Sequence, residues 1–288
     1  MSSGIGDNSV LVVIPTYNEI DNLREITRRV LDATDDVDIL VVDDNSPDGT
    51  GRLANELAAA SSRISVLHRP GKSGIGNAYR AGFGWGLRAG YDVLVEMDGD
   101  GSHRPEQLPG LLEGIRDVDV VIGSRWVPGG GAPNWAFRRR LLSRAGSLYA
   151  RVALALPFRD ITGGYRVYRA TALTALDYDT VEAQGYCFQI EMLWRARESG
   201  LRIAELPIQF AERLTGESKM SGSIVIEAIS RVTVWGIGDL PRRLARRSRA
   251  ARVEAPGQEA SLLGDGTASD SPQVHRGLAA AHSVNRRD

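Results

Sequence analysis

Val93-Leu94-Val95-Glu96-Met97-Asp98-Gly99-Asp100-Gly101-Ser102-His103 runs from an apolar strand into a turn carrying two carboxylates at i and i+2. An apolar run that ends in paired acids is unusual, because burying charge is costly unless it is paired or binds a metal. Two hard oxygen ligands on one turn suit a divalent cation that keeps open positions for phosphate oxygens. The plainer alternative is a pair of solvated turn residues, and this stretch alone does not decide between them.

The same strand-then-turn pattern recurs on either side. Val10 to Ile14 is an apolar run ending at Pro15, followed over 19–32 by Leu23, Ile26, Val30 and Leu31 at helical spacing. Asp38 to Val42 ends at Asp43-Asp44, and 48–60 reads as helix. Ile64 to Leu67 is a third strand, 76–89 a third helix, 92–97 a fourth strand. Pro105 opens a helix through Ile115, and 118–122 is a fifth strand. Apolar strands separated by helices predict an α/β fold, a mostly parallel central sheet with helices on both faces. Ligands of such sheets bind beyond the carboxyl ends of the strands. Tyr17, Asp44, Asp98 and Ser124 fall just past those ends.

From about 126 to 170 the pattern loosens. Gly129-Gly130-Gly131 and Pro133 mark a flexible loop, Arg138-Arg139-Arg140 follow, and 141–155 is helix-like. Residues 188–200 read as helix and 202–210 as an extended segment that ends the core. Residues 222–250 are helix-compatible, with Val225, Ile229, Val232 and Trp235 on one face and Glu227 and Arg231 on the other. Arginines then cluster without acids over 242–252. The predicted organisation is an N-terminal tail (1–9), a catalytic domain (10–222), an amphipathic and basic segment (223–252) and a disordered tail (253–288).

Composition narrows the class. Lys and Arg (35) nearly balance Asp and Glu (36), so net charge gives no pull toward nucleic acid. The single cysteine, Cys187, excludes an intramolecular disulfide framework and fits a reducing compartment. The polar MSSGIGDNSV start has no apolar h-region, so no signal peptide is expected. No apolar stretch is long enough for a transmembrane helix.

Each motif carries a chemical reading and a structural one. In Pro15-Thr16-Tyr17-Asn18-Glu19, Tyr17 offers a flat face and Glu19 an acceptor to a nucleotide, or Glu19 simply complements a helix dipole. In Asp43-Asp44-Asn45-Ser46-Pro47-Asp48, Asp44 can accept from a base ring N–H, while Asp48 or Ser46 can cap the next helix. Gly71-Lys72-Ser73-Gly74-Ile75-Gly76 approaches phosphates or is a plain loop; it is not a P-loop. Arg125 presents a fork to phosphate or pairs with Asp98 or Asp100. Arg213 and Lys219 add two cations to one polar loop, useful against a pyrophosphate and a phosphate, or else solvated.

Taken in order, PTYNE, DDNSPDGT, GKSGIGNAY, MDGDGSH, GSRW, DITGGYR, GYCFQIE and ERLTGESKM resemble the polyprenol-phosphate (dolichol-phosphate) mannosyltransferases. These are inverting family 2 glycosyltransferases of GT-A (Rossmann-like) fold, and the resemblance covers about residues 10–222. It implies transfer of mannose from GDP-mannose to a polyprenyl monophosphate, with Mg²⁺ or Mn²⁺ as cofactor. It further implies that Pro15, Tyr17, Glu19, Val42 and Asp44 contact the guanosine, and that Asp98 and Asp100, flanking Gly99, hold the metal against the donor diphosphate. Arg125 and Arg139 would meet the acceptor phosphate or the donor, and Arg213 and Lys219 would close over the phosphates. Gly99 stands where the family usually has alanine, and Ser102 where many members carry a metal-binding glutamine.

A phosphate monoester has a second pKa of about 6, so the acceptor is anionic near neutrality and needs no general base. In-line attack would invert the anomeric centre, giving polyprenyl β-mannosyl phosphate and GDP. A lipid acceptor implies peripheral contact with the cytoplasmic face of the membrane, through 222–250 and the basic cluster or through a separate anchor protein; the alternative packs that helix on the core. The competing functions are a UDP-glucose-dependent polyprenyl-phosphate glucosyltransferase and a non-catalytic nucleotide-sugar-binding protein.

Overall fold

The computed structural model describes residues 8–183, 185–211 and 229–238, all within the unit Met1–Leu240. The strands are β1 (Val10–Thr16), β2 (Val37–Asp43), β3 (Ile64–His68), β4 (Val93–Glu96), β5 (Val120–Ser124), β6 (Arg166–Arg169) and β7 (Ile203–Pro207). The helices are α1 (Ile20–Ala33), α2 (Thr50–Ala60), α3 (Ile75–Arg88), α4 (Leu108–Gly114), α5 (Phe137–Leu154), α6 (Ala170–Ala175) and α7 (Tyr186–Glu198). Residues 229–238 are also helical. The expected 253–288 tail, most of the 223–252 segment, and Arg213 and Lys219 lie outside the described residues.

The strands form one sheet in the order β3-β2-β1-β4-β6-β5-β7. β1 pairs in parallel with β2 and β4, β2 with β3, and β5 with β7; β6 is antiparallel to both β4 and β5. Side chains alternate across the sheet because the strand period is two. Val10, Val12 and Ile14 of β1 therefore pack in the cluster that holds Leu23, Ile26 and Val30 of α1 and Leu108 and Leu111 of α4. Leu11 and Val13 face the other way, into the cluster of Tyr79 and Phe83 of α3 and Phe188 and Met192 of α7. A third cluster joins Ile122 of β5 to Ala150 and Leu154 of α5, Ile190 and Leu193 of α7, and Val232.

The expected strands and helices of the first half stand within about two residues of their observed positions. Two differences bear on the site. The strand expected at 118–122 runs Val120–Ser124, so Ser124 is its last residue rather than one past it. Strand β6 falls in the stretch where the sequence pattern loosened. Its four residues begin and end with arginine, so no apolar period marks it.

The sheet and α3 approach closely through glycine. A Cβ at Gly86 would lie 2.7 Å from Leu11 Cδ2 and from Leu94 Cδ2, and one at Gly82 would meet Val13 Cγ1. No described helix is long and apolar enough to cross a membrane. Overpacking of this kind costs about 1–3 kcal/mol. Gly86→Ala should therefore lose about that much stability in urea unfolding, whereas Gly110→Ala, whose added Cβ meets nothing within 4 Å, should not lose any.

Candidate active site

The acid pair lies just beyond the carboxyl end of β4. The backbone N–H of Asp98 donates to His103 Nδ1 (3.0 Å), and the Tyr79 hydroxyl donates to Asp98 Oδ1 (2.9 Å). Burial keeps His103 below its ordinary pKa despite the two nearby aspartates, so the ring is neutral with its proton on Nε2. Burial and the Asp98 carboxylate hold the Tyr79 hydroxyl well above its usual range, so it remains a donor. Asp100 Oδ1 accepts from both the backbone N–H (3.0 Å) and hydroxyl (2.6 Å) of Ser102. Ser102, standing where a glutamine ligand was expected by resemblance, thus orients Asp100. A Cβ at Gly99 would sit 3.3 Å from Pro15 O, tight but nearly tolerable.

No trio of His, Cys, Asp or Glu is grouped for a metal among the described residues. Among the described residues, the carboxylates that could hold a cation at this turn are those of Asp98 and Asp100. That set fits a hard divalent ion whose remaining positions go to phosphate oxygens and water.

Beneath the acids lies a buried polar layer. Glu96, fully buried at the end of β4, accepts from Gln189 Nε2 (2.8 Å), and burial raises its pKa to about 8 against the pull of Arg166. Arg166 is fully buried and donates to the carbonyls of Gly163 (2.9 Å), Ile161 (2.8 Å) and Gln189 (2.8 Å). This arginine ties the DITGGYR segment and α7 to β6.

The residues expected at the nucleoside gather at the ends of β1 and β2. Tyr17 has Lys72 Nζ 4.2 Å from its ring centroid. Asp44 is buried and paired with Arg69, which also contacts Ser73. Burial raises the Asp44 pKa even with Arg69 beside it. Asp43 is structural: it accepts from the Thr16 hydroxyl (3.2 Å) and from the backbone (3.2 Å) and hydroxyl (2.6 Å) of Ser46. Asp48, not Ser46, accepts from the N–H of Thr50 at the start of α2 (2.9 Å). Glu19 accepts from Asn22 Nδ2 (2.9 Å). Pro15 lies in β1 beside Val42, whose side chain is wholly in the core; only the Val42 backbone can reach a ligand. Arg69, Lys72 and Ser73 join these residues, and the weak glycine-rich pattern of 71–76 is the sequence signal nearest them.

The third wall is cationic and aromatic. Arg125 makes a bidentate pair with Asp160, Nε to Oδ2 and Nη2 to Oδ1, each 2.7 Å, and donates to Thr162 Oγ1 (3.0 Å). Asp160 is the partner, so the alternative pairing of Arg125 with Asp98 or Asp100 does not hold. Burial pushes the Asp160 pKa up, but the charge and hydrogen bonds of Arg125 outweigh it and hold the carboxyl below its usual range. The Arg125 guanidinium lies 5.3–5.4 Å from the rings of Trp126, Trp135 and Phe210, and Arg139 lies 4.1 Å above Trp135. Phe210 in turn meets the His103 ring edge-on (5.4 Å), connecting this wall to the acid pair.

Residues 11–176 match the family model described as Glycosyl transferase family 2. The chain belongs to glycosyl transferase family 2. This glycosyltransferase is 58% identical over 228 residues to an undecaprenyl-phosphate mannosyltransferase of Micrococcus luteus, covering 79% of the chain and 94% of the relative. It is 54% identical over 229 residues to a polyprenol monophosphomannose synthase of Mycolicibacterium smegmatis, covering 79% and 86%. Its fold resembles a crystal structure of glucosyl-3-phosphoglycerate synthase from Mycobacterium tuberculosis in complex with Mn²⁺, UDP and glucosyl-3-phosphoglycerate. The TM-score is 0.56 at 20% identity, over 82% of this chain and 81% of that one. The fold class expected from sequence, GT-A with a mostly parallel sheet, is thereby established for the glycosyltransferase.

Removing one partner of a buried ion pair strands the other charge, at a cost of about 3–5 kcal/mol. Asp160→Ala in the glycosyltransferase should lower unfolding stability by roughly that amount in urea titration, far more than Asp119→Ala, whose partner Arg202 is exposed and whose loss should cost ~0–1 kcal/mol.

Proposed function

We propose that the protein transfers mannose from GDP-mannose to a polyprenyl monophosphate, with inversion, releasing GDP and polyprenyl β-mannosyl phosphate. The observation that carries this reading is the meeting of the acid pair after β4 with the guanidinium–aromatic wall after β5, in a chain whose named relatives act on polyprenyl phosphate. One side can hold a nucleotide diphosphate through a cation, and the other can hold a second anion.

Tyr17 and Asp44 bind the guanine, with Pro15, Glu19 and the Val42 backbone around the nucleoside. Asp98 and Asp100 hold Mg²⁺ or Mn²⁺, which when bound offsets the charge on the diphosphate leaving group. Tyr79, His103 and Ser102 keep both carboxylates in place, so little reorganisation accompanies the reaction. Arg125 and Arg139, with Arg213 and Lys219 of the loop outside the described residues, offset the repulsion between acceptor phosphate and donor diphosphate. The acceptor oxygen is already anionic at neutral pH, since its second pKa is about 6. The task left to the fold is alignment of acceptor oxygen, anomeric carbon and leaving oxygen.

Helix α5 supports contact with a membrane. Phe137, Leu141, Leu148 and Val152, spaced along one helical face, are 75%, 57%, 57% and 72% exposed. Arg138, Arg144 and Arg151 are exposed on the same helix, which contains no acid. Exposed apolar residues among cations suit the interface of an anionic bilayer. Within 229–238, Val232 is buried and Trp235 stacks on Trp194 (5.8 Å), so this part of the expected amphipathic segment packs on the core. Its Val234 and Ile237 remain exposed. We place the protein on the cytoplasmic face, alone or with an anchor partner.

The test is transfer of labelled sugar from GDP-mannose or UDP-glucose to a short polyprenyl phosphate with Mg²⁺ or Mn²⁺. Mannose from GDP-mannose should be transferred and glucose from UDP-glucose should not; the reverse overturns the donor assignment. Asp100→Ala should lose at least about a hundredfold in kcat, in line with removal of a single electrostatic stabiliser, and wild-type turnover by that variant would remove the cation's role.

A further inference from the structure

A concavity of about 220 Å³ opens beside the cationic wall, lined by Arg125, Trp126, the Gly130–Pro133 loop, Arg140 and Arg144. Its loop wall is pressed onto the end of β5: a Cβ on Gly130 would collide with Ser124 O. Arg125 is answered by Asp160. The other two cations are not answered by acids among the described residues. Arg140 Nη2 donates to the carbonyls of Ala132 (3.2 Å) and Pro133 (3.3 Å), and the Arg144 guanidinium rests 5.0 Å from the Trp126 ring. Two further donors of lining residues, the indole N–H of Trp126 and Nε of Arg140, are buried and have no hydrogen-bond acceptor among the described residues.

A cavity rich in guanidinium donors and unmatched N–H groups, with no acid among its lining residues, calls for an oxyanion. Its position says which kind. Arg140 and Arg144 belong to α5, and the exposed Phe137, Leu141 and Leu148 lie on the same helix. A group entering here arrives at the edge of an apolar surface. The geometry points to this cavity as the binding site for a phosphate carried on a lipid, with Arg140, Arg144 and Trp126 Nε1 as its donors. The inference rests on the reading of a lipid acceptor. The phosphate belongs either to the acceptor itself or to a bilayer phospholipid beside it.

Flotation of the full chain with vesicles tests this without turnover. Three compositions are compared: phosphatidylcholine alone, with polyprenyl phosphate, and with phosphatidylglycerol. The variants are Arg144→Gln, Trp126→Phe, which keeps a ring but removes the N–H without changing charge, and Arg52→Gln, which removes an exposed charge from α2, outside both the cavity and α5. The wild-type gain in binding from a phosphate-bearing lipid should fall about fivefold or more in Arg144→Gln and Trp126→Phe, a loss within reach of one charge-assisted hydrogen bond. It should change little in Arg52→Gln. A gain confined to polyprenyl phosphate assigns the site to the acceptor, and an equal gain with phosphatidylglycerol assigns it to phospholipid. The inference is overturned if Arg144→Gln and Trp126→Phe bind all three vesicles as the wild type does, if Arg52→Gln falls as far as they do, or if neither added lipid raises wild-type binding. Failure of the broader reading is a separate result, namely no mannolipid formed by the wild type in the transfer assay.

Discussion

The buried pair of Arg125 and Asp160 is the constraint on which the site's cationic wall depends. Both side chains are almost entirely out of water, at 5% and 0% exposure. Such a pair stabilises little on balance, because desolvation offsets most of the attraction. Its contribution is geometric. Asp160 fixes the fork of Arg125 in two bonds, and the backbone N–H of Arg125 makes a third to the same carboxylate (2.9 Å). Asp160 is itself held by Glu205, whose carboxylate accepts its N–H (2.8 Å), so β7 backs the arrangement. Three aromatic rings then surround the guanidinium and exclude water from it.

The insertion of antiparallel β6 between β4 and β5 explains how that wall meets the acids. Without β6, the ends of β4 and β5 would be adjacent and the acids would crowd the arginine. With it, the DITGGYR segment crosses between them, and Arg166 binds the carbonyls of that segment from below. A Cβ at Gly163 would lie 3.2 Å from Gly123 O, so a side chain there would press the crossing against β5. Tyr79 donates to the Asp98 carboxylate, the Asp98 backbone N–H donates to His103, and Ser102 donates twice to Asp100 Oδ1.

Sequence exposed the parts of this scheme that repeat. Strands β1 to β5 and helices α1 to α3 are readable because apolar residues at strand and helix periods end at Pro15, Asp43-Asp44 and Asp98. Strand β6 is not readable, since its first residue is a buried arginine satisfied by carbonyls that only the tertiary fold brings near. The same holds for the true partner of Arg125: Asp160 is 35 residues away, while Asp98 and Asp100 are nearer in sequence. Val42 was expected at the nucleoside by resemblance, yet its alternation in β2 turns the side chain into the core. The contacts of Arg69 with Asp44 and of Lys72 with Tyr17 are not readable either, because they arise from one loop folding over those residues.

A cation and the donor diphosphate are expected to meet at Asp98 and Asp100. Crystals grown with GDP-mannose and Mn²⁺, measured at the manganese edge, locate both. An anomalous peak within about 2.0–2.6 Å of carboxylate oxygens of Asp98 and Asp100, bridging the diphosphate with the guanine against Tyr17 and Asp44, is the expected result. A donor bound with its diphosphate away from the end of β4, or manganese absent from those two carboxylates, contradicts it.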